Sequence, residues 1–498
     1  MNWLILPPLL IPFAGVVVTL LARKKRRLQQ GLSLLTMLTS LGFSLALAWQ
    51  IFIVGETLVL QSGLWPVPAG ITLIADPLSA FMLVMTQVVL AAGILYAAGS
   101  QEKVVQYPTF YPIFLGLATG MSGAFLTGDL FNLFVFAEVI VISGAVLTGM
   151  ADDEYGIEAS YKYLLISTVG AILFLLGIGS LYAAHGTLNL ASLAQSIAEN
   201  PSDPLTLAGL AFLTATFLTK SAIFPFHFWQ PDFHAAAPTA VSAMLSSIVV
   251  KFGIYGFLRM ITLLFLAQAD KLSLLLVVLG VVGVIYGGFG AAGTHNAKRM
   301  LAYSTLSQIG FILVGIGWGT PLALTGALVF TFNHALIKAA MLMMAGAMAS
   351  RAPVKSASFE VLVGVGKTSP AAGMLFLLGG MALAGIPPMN GFISKLMIFW
   401  SGVESENYLS LAIIGFASII TLTYVIRSFM KIWFEQNPHV KPKSGDHLLA
   451  PAILIALCLL LGIWSEPLVW ASNHVVQTLL QPENYIQLVN ALPQATIR

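Results

Sequence analysis

Thr219-Lys220-Ser221-Ala222-Ile223-Phe224-Pro225 lies inside an apolar run from Thr206 to Trp229. An interior proline removes a helical hydrogen bond and clashes with the preceding turn, so a helix along this run breaks beside its lysine. A second run, Ser369 to Trp400, contains Gly385-Ile386-Pro387-Pro388-Met389-Asn390-Gly391, and Lys395 follows the break. Counted along the chain, these are the seventh and twelfth of about fourteen runs of membrane-crossing length. Their parity sends them through the bilayer in opposite directions. The lysine precedes proline in the first and follows it in the second, which is the pattern of an inverted repeat with two discontinuous helices.

The composition agrees with a membrane solvent. Of 498 residues, 58% are hydrophobic and 9% charged, and the mean hydropathy is +0.90. A lipid-facing backbone must satisfy itself in helices or a closed barrel, and the alternation of a barrel is absent. The reading is an all-α membrane protein with short loops. Its predicted divisions are an N-terminal three-helix segment (1–107), a first inverted repeat of spans four to eight (108–265), a second of spans nine to thirteen (266–435), and a last helix with a short polar tail (436–498). The last span is expected at Leu448 to Trp470.

Arg23, Lys24, Lys25, Arg26 and Arg27 follow the first span. A basic run there fixes that loop in the cytoplasm and the amino terminus outside. Loop counting puts Lys103, Lys162, Lys298, Arg299, Arg351, Lys355, Lys367, Lys431, Lys441 and Lys443 on the same side. Lys271, Arg259 and Arg498 fall on the other, so both termini are expected outside a bacterial cell membrane. A juxtamembrane basic cluster is accounted for by topology and lipid charge, and no nucleic-acid partner is expected. Cys458 is the single cysteine, so no disulfide forms within the chain. Gly288, Gly290 and Gly293 match a dinucleotide pattern but end a hydrophobic span, where small residues serve helix packing.

The charges inside the spans carry the functional reading. An unpaired charge at mid-bilayer costs about 2.5–3.5 kcal/mol on translocon scales, so several in one chain argue for a proton or ion path. Glu138 lies midway along the fifth span, and Lys220 is its natural partner. Burial disfavours the ionised form of carboxyl and ammonium alike and a close opposite charge favours both, so moving one partner switches the other. The alternative is a static ion pair. Lys251 would be the next station, or would snorkel to an interface. His334 and Lys338 stand one turn apart on one helical face, and histidine titrates nearest neutral pH. An interhelical hydrogen bond without traffic is the competing role for His334. Lys395 would end the row, or snorkel. His227, Asp232 and His234 flank Pro231 and form either an entrance or a solvated loop. Asp129 and Asp76 read as helix starts. HExxH, CxxC and phosphate-loop motifs are absent, so no metal or cofactor is expected.

With these residues laid out, the chain resembles the antiporter-like proton-channel family shared by multisubunit sodium/proton antiporters and the membrane arm of respiratory NADH-quinone oxidoreductase. The likeness rests on Asn2-Trp3-Leu4-Ile5-Leu6-Pro7-Pro8, on Gly128-Asp129-Leu130-Phe131-Asn132-Leu133-Phe134-Val135-Phe136-Ala137-Glu138, and on Lys220-Ser221-Ala222-Ile223-Phe224-Pro225-Phe226-His227-Phe228-Trp229. It implies fourteen helices, two inverted five-helix repeats, Glu138 with Lys220 as a modulating ion pair, Lys251 and His334 as central relays, and Lys395 as the terminal lysine. Lys338 follows more loosely. Relatives in the respiratory branch often carry tryptophan before the key glutamate, where this chain has Ala137. The implied function is proton translocation in a multisubunit cation/proton antiporter, with other membrane subunits as partners and H+ and Na+ as cargo. The alternatives are a proton-pumping subunit of an NADH-quinone oxidoreductase or membrane hydrogenase, and a membrane scaffold without transport.

Overall fold

The computed structural model describes residues 2–491 apart from 66, 69, 152 and 436–442. The expected topology charges Lys441 and Arg498 lie outside the described residues. Among those described, nine helices are long and apolar enough to cross a membrane, or up to eleven if each of two bent pairs is one span. Pro7–Leu21, Phe110–Leu126 and Pro204–Lys220 are shorter apolar helices. The fold is a helical membrane bundle, with one departure from an all-α chain among the described residues. Leu58–Gln61 and Thr72–Ala75 pair as an antiparallel hairpin, with Leu58 opposite Ala75.

Polar contacts between connectors define two ends. At one, Gln29 donates to the Pro108 carbonyl, Asn296 bridges Ser358, and Arg351 donates to the Asp446 carbonyl. This end follows Arg23–Arg27 and is called the basic end below. At the other, the hairpin meets Thr127, Asp129 bridges Asn189, and Gln268 donates to the Pro201 carbonyl. Asp76 and Asp129 do start helices there, each accepting from a backbone N–H three residues on.

Both expected breaks are present. The seventh run forms Pro204–Lys220, a non-helical stretch around Pro225, and then Trp229–Ala236. The twelfth forms Pro370–Ala384, then Pro387 and Pro388, then Asn390–Glu404. Gly385 closes the first half at φ 81°, a left-handed value that glycine adopts without a Cβ penalty. Close backbone approach holds the second break: a Cβ on Gly391 would lie 1.8 Å from the Ala382 oxygen, and one on Gly462 would lie 2.0 Å from the Pro388 oxygen.

Three expectations are corrected. The last span does not run straight to Trp470: Leu449–Ile463 is followed by Glu466–Leu479 at 79°. The tail is not merely a polar extension, because Leu468, Val475, Val476 and Leu479 are buried and Pro482–Asn490 adds a further helix with Tyr485 and Val489 buried. An amphipathic segment needs a partner for its apolar stripe and finds one against the bundle. Lys298 is not a simple loop charge either, and Arg259, expected near a helix end, is more than a marker of topology. Both are buried, Lys298 donating to the Ala237 carbonyl and Arg259 gripping Asp76 with two bonds of 2.7 and 2.8 Å. The glycine reading holds for Gly290, where a Cβ would meet Tyr303 at 2.4 Å, whereas a Cβ on Gly293 would meet nothing within 4 Å among the described residues.

Candidate functional site

Helix Leu130–Gly149 presents Glu138, and Lys220 is the last residue before the first break. Their side chains meet at 3.2 Å, with 7% of the lysine and 27% of the carboxylate exposed. Beside Lys220 a small cavity with room for the centre of one water, about 10 Å³, is lined by Tyr163, Ser167, Thr219 and Trp229. Ser221, the first residue of the break, donates to the Val250 carbonyl at 3.0 Å. The break is thereby fastened to the residue preceding Lys251. A Cβ on Gly253 would lie 1.9 Å from the Ser221 hydroxyl, so only glycine permits this approach.

Lys251 sits within Thr239–Leu264, a helix interrupted by two π-helical segments, Leu245–Val249 and Met260–Leu264. Single π turns recur at functional sites because they turn a side chain out of the ordinary register. The Lys251 Nζ lies 2.8 Å from Nδ1 of His334, which projects from Pro321–Arg351. Both residues are buried. His334 and Lys338 occupy one helix as read, but their partners diverge. Lys338 donates to the Leu301 carbonyl at 2.8 Å and remains within electrostatic reach of Lys251.

On the far side of His334, its Nε2 has no protein partner among the described residues. A second small cavity of about 10 Å³ is lined by His334, Gln308, Ser394 and Lys395. Lys395 donates to the Ala384 carbonyl at 2.8 Å, reaching back across the second break, and stands 5.6 Å from the centre of the Phe311 ring. Asn333 bonds Asn390 and Ser394 around the same break. The structure therefore brings Glu138 to Lys220 and Lys251 to His334, and places Lys395 across a small cavity from His334.

The three entrance residues do not form one solvent-facing group. His227 stacks on Phe224 and meets the Tyr286 edge at 4.4 Å. Asp232 pairs with Arg299, and Lys162 stands 3.9 Å away. His234 is fully buried, with Ser242 bonded to its carbonyl at 3.1 Å. Sequence reading missed Glu102, Asn390 and Gln308, all buried. For Asn390 the signal was its position two residues after the proline pair.

The family described as "NADH:quinone oxidoreductase/Mrp antiporter, TM" matches residues 127–421. The chain belongs to this family. The matched region contains Glu138, the three central lysines and Lys395. The D subunit of a Na(+)/H(+) antiporter from Alkalihalophilus pseudofirmus is 33% identical over 494 residues, covering 98% of this chain and 99% of that protein. A chain of the Mrp complex from Dietzia sp. superposes with a TM-score of 0.89 at 26% identity, over 98% and 99% of the two chains. A chain of the membrane-bound sulfane sulfur reductase, an archaeal respiratory membrane complex, also reaches 0.89, at 27% identity and the same coverage. The Mrp antiporter family fold is thus shared along essentially the entire chain.

Proposed function

We propose that this chain is the proton-translocating subunit of a multisubunit Na+/H+ antiporter, a secondary transporter that works with other membrane subunits and makes no covalent bonds itself. The observation that carries the mechanism is the 2.8 Å contact between Lys251 and His334. It joins the half of the chain that holds Glu138 and Lys220 to the half that holds Lys338 and Lys395. The full-length likeness to the D subunit of a Na+/H+ antiporter supports the choice of activity.

In this reading the chain has fourteen crossings, with spans four to eight and nine to thirteen forming inverted repeats. The seventh and twelfth are discontinuous, and the domain divisions are 1–107, 108–265, 266–435 and 436–498. The basic end faces the cytoplasm and both termini lie outside. A proton reaching Lys251 or Lys338 weakens or strengthens the hold of Glu138 on Lys220 through charge, and passes by His334 to Lys395. Proton transfer needs hydrogen-bond reach, directly or through water, and the small cavity lined by His334 and Lys395 is where such a water would sit. Glu138, Lys220, Lys251, His334, Lys338 and Lys395 are the relay.

The equal structural likeness to a respiratory reductase chain favours one second reading, in which the same relay is driven by electron transfer in partner subunits. The test uses inverted vesicles holding the assembled complex, with a dye reporting internal pH. Lys251→Met and His334→Ala should each abolish proton movement on addition of Na+. Normal Na+-driven movement in both variants overturns the proposal, and proton movement that follows only a redox substrate favours the second reading.

A further inference from the structure

We propose that Glu102 and Lys298 latch the Ala237–Pro238–Thr239 turn and so close the path from the basic end to His234. The inference rests on the relay reading for its purpose, but its geometry is independent of it. The turn joins the second half of the broken span, Trp229–Ala236, to the helix that carries Lys251. Each side of it is held by a buried charge from elsewhere in the chain. Lys298 donates to the Ala237 carbonyl at 3.0 Å. Glu102 accepts from the Thr239 N–H at 2.9 Å and from its hydroxyl at 2.8 Å. Pro238, in the capping position of that helix, offers no side-chain bond, so the orphan N–H is satisfied by a carboxylate 137 residues away.

The platform under Glu102 is fixed. Asp446 accepts from the Tyr96 hydroxyl at 2.6 Å and from the Gln101 N–H at 2.8 Å, and Arg351 donates to its carbonyl. Thr239 itself seats on the helix of His334 and Lys338, where a Cβ on Gly346 would lie 2.2 Å from its methyl. The broken span, the helix of Lys251 and the helix of His334 therefore meet at this turn. One further ammonium reaches the latch from solvent: Lys355, 55% exposed, stands 3.5 Å from Glu102, which is 8% exposed.

Behind the turn lies an imidazole with one ring nitrogen left without a protein partner among the described residues. His234 is fully buried, its Nε2 has no protein partner among the described residues, and Lys338 and Lys298 are the charges that act on it most strongly. A plain helix cap would need Glu102 alone. The second clamp, two residues earlier on the same turn, and a buried imidazole three residues before that point to a closure. Burial would raise the Glu102 carboxyl, but Lys298, Lys355 and the Thr239 bonds outweigh it and hold it below the ordinary carboxylate value. The sign follows: the latch is fully present above that ordinary value and loosens only as pH falls through the depressed one. Tyr96, on which Glu102 acts, and Asp446, which acts on Lys298, are the other ionisable groups around the latch.

The experiment reads access rather than transport. In the assembled complex, with Cys458→Ser as background, Ser242→Cys is the reporter, since Ser242 is buried against His234. A membrane-impermeant maleimide is applied to either side of the vesicles. Glu102→Ala and Lys298→Met should each raise labelling from the basic end about tenfold, the factor that loss of one or two buried hydrogen bonds gives to a local opening. Labelling from the other side should not change. If Glu102→Ala does not assemble, Thr239→Val removes the hydroxyl bond at constant volume and should give a smaller rise in the same direction. Unchanged labelling in every assembled variant, or an equal rise from both sides, overturns the latch. If labelling rises as expected while Lys251→Met and His334→Ala leave Na+-driven proton movement normal, the latch stands and the relay reading falls.

Discussion

Removing the charge of Glu138 while leaving its shape, as Glu138→Gln, tests whether the first ion pair is machinery or scaffolding. Two unit charges 3.2 Å apart attract by about 5 kcal/mol at the effective dielectric of about 20 that suits partly buried pairs. About a quarter of the carboxylate is exposed, so solvent takes up part of this, and the coupling left to the pair is about 1–3 kcal/mol. That range corresponds to a change of about 5- to 150-fold in whatever step the pair governs. Glu138→Gln and Lys220→Met should each slow Na+-induced proton movement in vesicles by a factor in that range. The double variant should be no slower than the worse single, because each removes the same interaction. Lys220→Arg sharpens the test, for guanidinium keeps the pair but does not release its proton. A static pair predicts normal transport from Lys220→Arg, whereas a relay predicts loss with assembly intact. Losses that multiply in the double variant, or a fully active Lys220→Arg, would refute the reasoning.

Two further outcomes follow from close contacts, one at an end of the bundle and one at the second break. Asp76→Ala leaves the Arg259 guanidinium buried with the Tyr255 and Ser79 hydroxyls as remaining partners, and should destabilise the complex by about 3–5 kcal/mol, read as a lower thermal aggregation temperature; Arg259→Lys should not preserve stability, since one ammonium does not reproduce the two-pronged contact. Gly391→Ala sets a methyl 1.8 Å from the Ala382 oxygen, so the two halves of the second break must part; proton movement should fall with the complex still assembled, and an active Gly391→Ala would mean that the position of Lys395 against Ala384 is immaterial.

The breaks were legible in the sequence because proline inside an apolar run has one local consequence, and both fall where Pro225 and the Pro387–Pro388 pair stand. The buried lysines were legible for a similar reason, being charges where hydrophobicity leaves no other solvent. What sequence reading could not supply was pairing across long separations. Glu102 looks like an ordinary loop acid until Thr239 is placed against it, and Lys298 looks like a topology charge until its ammonium is found on the Ala237 carbonyl. The tail is different, since its signal is present in the sequence. Leu468, Ser472, Val475, Val476 and Leu479 recur at helical spacing after Pro467, a residue suited to a helix start, yet the segment is too polar on average to register as structure.

The partners of the lysines carry a distinction that residue types alone do not. Lys220 faces a carboxylate, so its contact is one between opposite charges. Lys338 and Lys395 donate to backbone carbonyls, and Lys251 faces a ring nitrogen. A carbonyl accepts a hydrogen bond from an amine as well as from an ammonium, so these contacts hold the side chain in place in either protonation state. Of the four lysines of the proposed relay, one is thus pinned by charge and three are positioned without being pinned. A file that passes protons needs stations whose geometry survives the proton's departure, and it needs at least one charged element that responds to their state. The Leu301 and Ala384 carbonyls meet the first requirement by lying at fixed points of the helix backbone. In the proposed relay Glu138 meets the second, paired with a lysine that closes its helix directly before a break.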